Sequence, residues 1–384
     1  MLDEAKARTG AFQTRLAEAG IEVAIVTDES SIAYLAGFWG YLGVEFGRPT
    51  FLVLRPEAAP IVVTPLMESE MVDAMTWVAD VRPWEDAGDR RWEPVLAQAL
   101  GLHAPRTIGV EAHLLPAVVR QYLDERFPDA ALRDVSPLLG AMRAIKSPGE
   151  IAVMRQAGRI AAAMMDAAKT AMGGGVPEYE VALAVVAAGT RTAAGFLTDR
   201  GWEAFVSPMI HNLQILQSGR DTAMVHRRAS VKPLAPGDPV YLCFCNMVEF
   251  KHYRLGFDRQ FFIGEVGDEA ARVLQAAVAA QQAALSVLRA GVRAEEVAAA
   301  ANEVYRTSGF APGYRTGRSI GVAYLEAPEL KEGDRTVLRP GMTFAVDGGV
   351  TVAGRLGGRI GDSVVVTKDG FEYLTNYPRE LTVL

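Results

Sequence analysis

Two dense runs of β-forming residues, 240–244 (VYLCF) and 259–263 (RQFFI), stand either side of a polar stretch and constrain the chain more than any other feature. β-branched and aromatic side chains suit a half-buried pleated surface, so the pair reads as two strands joined by a turn. Between and beside them sit His252, Arg254 and Asp258; upstream lies His226, and downstream lie Arg318, Asp347 and Asp362. The expectation is that the C-terminal half of the chain builds one pocket from these pieces. Cys243 and Cys245 alternate along the first run, so they point the same way and are poorly placed for a disulfide.

The remainder of the chain alternates strands and helices. A helix is expected over 3–19, with Phe12 and Leu16 on one side and Gly20 as its stop, then a strand over 22–27, a capping turn over 28–31 and a short helix over 32–36. Strands follow at 51–54, 61–64 and 107–110, and Pro116 opens a helix reaching Phe127. This alternation predicts an α/β domain over 1–136 with a mixed or parallel sheet. The second domain, 137–384, opens with Ser147-Pro148-Gly149-Glu150, a capping box with proline at the first turn. Its helix runs to Met172 and is broken by three glycines; further helices are expected at 178–196, 268–289 and 294–307. An irregular stretch, 201–218, holds Trp202, His211 and Asn212; strands are expected at 343–349 and 363–367.

Composition narrows the function classes. At 384 residues and 50% hydrophobic content the chain is long enough for two domains with real cores. Its formal net charge is -7 and it has no basic run, which argues against a nucleic-acid partner. The start, Met1 to Lys6, reads as a helix and not as a signal peptide, and no apolar run approaches the ~20 residues of a membrane span. Two cysteines in the whole chain fit a reducing cytoplasm.

The phrase RAIKSPGEI (143–151), then GGGVPEYEV (173–181), then FDRQFF (257–262) resembles the pita-bread family: creatinase, Xaa-Pro aminopeptidase, prolidase and methionine aminopeptidase. The resemblance implies an α+β fold, a creatinase N-terminal-like α/β domain followed by a pita-bread catalytic domain with a two-fold ααββ duplication. In the peptidases of this family five ligands hold two metals. At their positions stand Cys245, Gly256, Arg318, Asp347 and Gly361, so one carboxylate of the set remains. A divalent ion needs several oxygen or nitrogen donors in closed geometry, and arginine stays protonated. No catalytic metal and no other cofactor are therefore expected.

The resemblance also assigns roles. His226 stands where the family has a proton-transfer or substrate-contacting histidine, a task suited to imidazole; taken alone it reads equally as a polar residue at a loop end. Asp258 and Asp347 take the places of two glutamates that hold the substrate in creatinase. Structural pairing of Asp258 with Arg254 or Arg259 is the plain alternative. Arg318 would clamp a substrate carboxylate with two hydrogen bonds. Phe46 and Arg48 match a creatinase FGR segment that reaches the partner's active site, and Tyr253 and Glu326 complete the implied substrate-binding set. A homodimer with shared sites follows from the resemblance alone. The expected activity is metal-independent cleavage of a C–N bond in a small, carboxylate-bearing guanidino, amidine or amide substrate. A metal-dependent Xaa-Pro peptidase and a non-catalytic binding module are the alternatives.

Overall fold

The computed structural model describes residues 2–40, 42, 46–86, 91–101, 104–198, 205–210, 215–245 and 248–384. Trp202, His211 and Asn212 lie outside the described residues. The chain divides into two compact units, Met1–Arg143 and Ala144–Leu384.

In the first unit α1 (Leu2–Glu18) buries Phe12 and Leu16 along one face. After β1 (Val23–Val26), Asp28 caps α2 (Glu29–Ala36) by accepting the Ser31 backbone N–H. There follow β2 (Phe51–Leu54), β3 (Ile61–Pro65), α3 (Ser69–Met75), β4 (Asp80–Trp84), α4 (Trp92–Leu100), β5 (Thr107–Val110), α5 (Ala117–Arg126), β6 (Ala131–Asp134) and α6 (Ser136–Arg143). The six strands form one mixed sheet in the order β4-β3-β2-β1-β5-β6. The pairs β1–β2 and β2–β3 are antiparallel and the rest parallel.

Helix α6 packs against α1 and buries Leu139, so the compact unit ends at Arg143 and not at 136. A buried polar knot fixes it there. The Ser31 hydroxyl donates to Glu111 Oε1 (2.6 Å) and accepts from Arg143 Nη2 (2.6 Å). Burial pushes the Glu111 carboxyl up to about 7 despite the Ser31 hydrogen bond.

The second unit opens with α7 (Pro148–Ala171), where Ser147 and Glu150 form the reciprocal capping box. It continues with α8 (Glu178–Thr198), β7 (Ile215–Ser218), β8 (Pro239–Cys243), β9 (Glu249–Phe250), β10 (Tyr253–Arg254) and β11 (Asp258–Phe262). Then come α9 (Asp268–Val287), α10 (Ala294–Thr307), β12 (Gly317–Ser319), β13 (Glu326–Leu330), β14 (Thr343–Val352), β15 (Leu356–Val366), β16 (Phe371–Tyr373) and β17 (Thr382–Val383). A nine-stranded sheet runs β13-β12-β14-β15-β11-β8-β7, with β16 beside β15 and β17 beside β11. The two expected runs are thus β8 and β11, adjacent and antiparallel, with the small β9–β10 hairpin between them.

The helices pair as α7 with α8 and α9 with α10. Helix α9 lies so close on β14 that a Cβ at Gly348 would overlap the Ala277 carbonyl oxygen, which explains a glycine immediately after Asp347. Helix α8 corrects one expectation. By length and composition it is apolar enough to cross a membrane, with a mean hydropathy of 1.5 over its best window. Here it lies along α7, burying Val181, Val185, Gly189, Ala193 and Leu197. Its first residue, the fully buried Glu178, accepts hydrogen bonds from Ser218, Arg227 and Ser230.

Candidate active site

Strand register assembles the site. Asp258 on β11 stands opposite Gly361 on β15, and Gly361 stands opposite Asp347 on β14. The three form a row across three strands, with glycine in the middle. An ideal Cβ on Gly361 would fall 2.8 Å from Asp258 Oδ2 and 2.8 Å from Asp347 Oδ1, so both carboxylates lean into the space a side chain there would fill. Arg318 on β12 pairs with Ala345, two residues before Asp347. Its guanidinium reaches across to bond Asp347 Oδ2 and the Tyr324 hydroxyl, and its Nη2 lies 3.2 Å from Cys245 Sγ. A Cβ on Gly256 would fall 2.9 Å from the same Nη2. The absent side chain at 256 makes room for the arginine head. Ser363 holds the Gly256 backbone in place, accepting from its N–H (3.0 Å) and donating to its carbonyl (2.7 Å).

Asp258 is buried, 5% exposed, and accepts from the Tyr241 hydroxyl at Oδ2 (2.9 Å) and from the Cys245 thiol at Oδ1 (3.4 Å). Burial first, and then the nearby charge of Asp347, lift its carboxyl to about 6. Desolvation works against the Arg318 cation, yet Asp347 and the other acidic neighbours hold its pKa well above the ordinary value. Burial also raises the Tyr241 and Cys243 protons well above their usual ranges. The cluster opens to solvent at Asp347, whose side chain is 31% exposed, and at the half-buried Cys245. Asp347 Oδ1 and Arg318 Nε are buried and have no hydrogen-bond partner among the described residues.

Of the residues singled out in the sequence, the structure joins Asp258, Asp347 and Arg318. Arg318 faces inward, with its Nη donors on Asp347, Tyr324 and Cys245 and its Nε without a partner among the described residues, so a two-bond clamp on a substrate carboxylate would have to displace one of these contacts. Glu326 forms a buried ion pair with Lys146 (2.9 Å) and accepts from the Ala323 N–H. Tyr253 is buried and donates to Glu150 Oε1 (2.8 Å), at the cap of α7. His226 is exposed on the segment after β7 and makes no hydrogen bond or ion pair among the described residues. In the first unit Phe46 is 64% exposed, and Arg48 pairs with Asp86 beside Trp84 and Trp92.

His252 and Arg254 turn to Glu249 on the β9–β10 hairpin, and burial lowers His252 to about 4. Asp258 pairs with neither Arg254 nor Arg259 side chain. Arg259 goes instead to Asp362 (2.9 Å), on the other face of the sheet. Tyr241 and Tyr324 are members of the cluster that sequence reasoning did not place in it, whereas Cys245 stood at a metal-ligand position by the resemblance. Tyr241 had a usable signal, sharing its alternation with Cys243 and Cys245.

Positions 245, 256, 318, 347 and 361 do converge in space, but their residues do not fit a pair of divalent ions. Two are glycines whose volume is taken by neighbours, and a guanidinium stands among the rest. The sulfurs of Cys243 and Cys245 and the Asp258 carboxylate lie within 4.8 Å of one another. There too the cation supplied by the protein is Arg318, in contact with Cys245.

The architecture, an α/β unit followed by a nine-stranded sheet with two helix pairs, is that of the pita-bread class. Residues 8–145 match the creatinase/prolidase N-terminal domain and residues 152–368 match metallopeptidase family M24, and the chain belongs to that family. It is 31% identical to the agropine synthesis cyclase of Rhizobium rhizogenes, over 95% of this chain and 94% of that protein. It is 28% identical to the ectoine hydrolase of Halomonas elongata, over 99% of this chain and 97% of that protein. The solved Xaa-Pro dipeptidase of Bacillus anthracis superposes with a TM-score of 0.81 at 25% identity, covering 99% and 100% of the two chains.

Proposed function

We propose that this protein is a metal-independent hydrolase that cleaves a C–N bond in a small, polar, carboxylate-bearing guanidino, amidine or amide substrate. One observation carries the reading. The Arg318 guanidinium sits against Gly256, bonded to Asp347 and Cys245, so a fixed cation stands among the positions that hold metal in the family's peptidases. Two carboxylates around one arginine form a preorganised polar site whose charges need no metal to balance them. Asp258, lifted to about 6, is suited to hold and release a proton near neutrality. The buried, unpartnered Asp347 Oδ1 is an acceptor for a substrate N–H.

His226 stands outside the hydrogen-bonded cluster, so proton transfer is assigned here to Asp258, with His226 contacting substrate from the solvent side. The homodimer remains part of the proposal. In it Arg48 would exchange Asp86 for a substrate carboxylate. The likeness to an ectoine hydrolase supports a cyclic amidine or its open amide as substrate class. The likeness to a cyclase favours a second reading, in which an internal group of the substrate takes the place of water and closes a ring.

The test is elemental analysis of protein dialysed without chelator, paired with hydrolysis assays on creatine, ectoine and small N-acyl amino acids with and without EDTA. The expected result is sub-stoichiometric metal and chelator-insensitive turnover. Stoichiometric manganese, cobalt, iron or zinc, with activity lost to EDTA, would return the protein to the metallopeptidases and end this reading.

A further inference from the structure

Packing against Ile215, Tyr241 and Cys243 does not account for the polar contacts of the thiol at the mouth of the cluster. Cys243 is 2% exposed and lies in a small apolar cluster with Ile215 and Tyr241. Cys245, two residues on, is half-buried, and its backbone N–H donates to Cys243 Sγ (3.4 Å), which fixes the turn that presents it. Its own sulfur touches a cation on one side and a carboxylate on the other: Arg318 Nη2 at 3.2 Å and Asp258 Oδ1 at 3.4 Å. Thiols become nucleophilic when a positive charge stabilises the thiolate and a base accepts the proton. Both partners are themselves buried, Arg318 at 2% and Asp258 at 5% exposure, so water screens neither contact strongly.

A second observation marks where a ligand would sit. Asp347 Oδ1, a buried acceptor with no partner among the described residues, faces Asp258 Oδ2 across the space over Gly361. That leaves a nucleophile, a proton donor and an unfilled acceptor around one small volume.

We infer that Cys245 is the nucleophile of this site, with Asp258 as its proton partner and Arg318 holding the thiolate. The inference rests on the C–N cleavage reading and deepens it. The thiol donates to Asp258 Oδ1, and the cycle starts when that proton passes to the carboxylate and leaves a thiolate beside Arg318. The thiolate attacks the acyl or amidine carbon and a C–S bond forms. The C–N bond then breaks as Asp258 gives its proton to the leaving nitrogen. Water attacks the resulting thioester or its imino counterpart, returns a proton to Asp258, and the C–S bond breaks to regenerate the thiolate. Over the cycle one water is consumed and one C–N bond is replaced by C–O. The charged and titratable groups around the sulfur are Arg318, Asp258, Asp347, Tyr324, Tyr241 and Cys243.

Two probes test this on the full chain without knowledge of the substrate. Iodoacetamide alkylation followed by peptide mass spectrometry should modify Cys245 at least ten-fold faster than Cys243. Its rate should have a midpoint at least one pH unit below the ~8.5 of a free thiol. Arg318→Gln should move that midpoint back up. p-Nitrophenyl acetate should give a stoichiometric burst of nitrophenolate and an acetyl group on the Cys245 peptide, both lost in Cys245→Ser of unchanged circular dichroism. An inert Cys245, an ordinary midpoint, a burst that survives Cys245→Ser, or zinc or copper bound through both sulfurs would each overturn the inference. Metal-free C–N hydrolysis that persists in Cys245→Ala would remove the nucleophile and leave the proposed function standing. Chelator-sensitive activity would remove both.

Discussion

Gly361 and Asp362 are consecutive residues of β15, and the sheet alternation sends them to opposite faces. On the Asp362 face both oxygens of that carboxylate are satisfied. Oδ1 accepts from Arg259 (2.9 Å) and Thr375 (3.1 Å), Oδ2 accepts from Arg379 (3.0 Å) and Gln281 (3.1 Å), and the side chain is fully buried. On the Gly361 face Asp347 bonds Arg318, Asp258 bonds Tyr241 and Cys245, an oxygen of each carboxylate leans over Gly361, and one oxygen has no partner among the described residues. The same residue type, on the two faces of one sheet, serves two ends. A saturated carboxylate locks four segments of chain together. A half-satisfied pair leaves bonding capacity that folding does not use, at a cost in stability that only a ligand can relieve.

The largest effect should come from the saturated face. Asp362→Ala strands two guanidinium groups, one of them buried at 4% exposure, and breaking a buried pair by removing one partner costs about 3–5 kcal/mol. Urea unfolding should show that loss. A change under about 1 kcal/mol would mean that the contrast between the faces is false.

Asp258→Asn should go the other way. The folded state raises this carboxyl from 3.8 to about 6, so it binds the proton more tightly than the unfolded chain does. Its favourable contribution is complete below the unfolded pKa and is lost as pH rises through about 6. Asparagine keeps an acceptor for Tyr241 and carries no charge. The variant should therefore be more stable than the parent by about 2–3 kcal/mol at pH 7, a gain that vanishes near pH 4. Turnover should fall at the same time. Denaturant unfolding at both pH values reads the stability, and a variant less stable than the parent at pH 7 would place Asp258 among the structural carboxylates.

How much of this contrast was legible beforehand follows the range of the interactions. The strands β8 and β11, the capping box at Ser147 and the helices α7 to α10 are local patterns, and they stand where the sequence places them. β4 was not anticipated, because Asp80-Val81-Arg82-Pro83-Trp84 carries a proline and charged residues, as an edge strand tolerates. Arg318 and Asp347 were legible as a cation and a carboxylate in one pocket. That they bond each other was not, since register between β12 and β14 decides it. Glu326 and Tyr253 matched by position, yet their partners Lys146 and Glu150 lie 180 and 103 residues away, where no local pattern points. Tyr324 entered the site only through the arginine it contacts.

The smallest change is also the sharpest test of the open face. Gly361→Ala adds one methyl group at a point 2.8 Å from Asp258 Oδ2 and from Asp347 Oδ1, closer than real Cβ contacts come. Asp347 is partly exposed and can swing away, whereas Asp258 is held by Tyr241. The strain should therefore resolve mainly at Asp347, costing about 1 kcal/mol, the low end for overpacking. Displacing Asp347 loosens its bond to Arg318, and that frees the guanidinium to hold the Cys245 thiolate more tightly. Catalysis should drop several-fold through loss of the Asp347 acceptor while the alkylation midpoint of Cys245 shifts down or stays put. A midpoint that instead rises would show that Asp347 is needed to aim Arg318 at the sulfur. The open face would then act as one rigid unit, as the Asp362 face does.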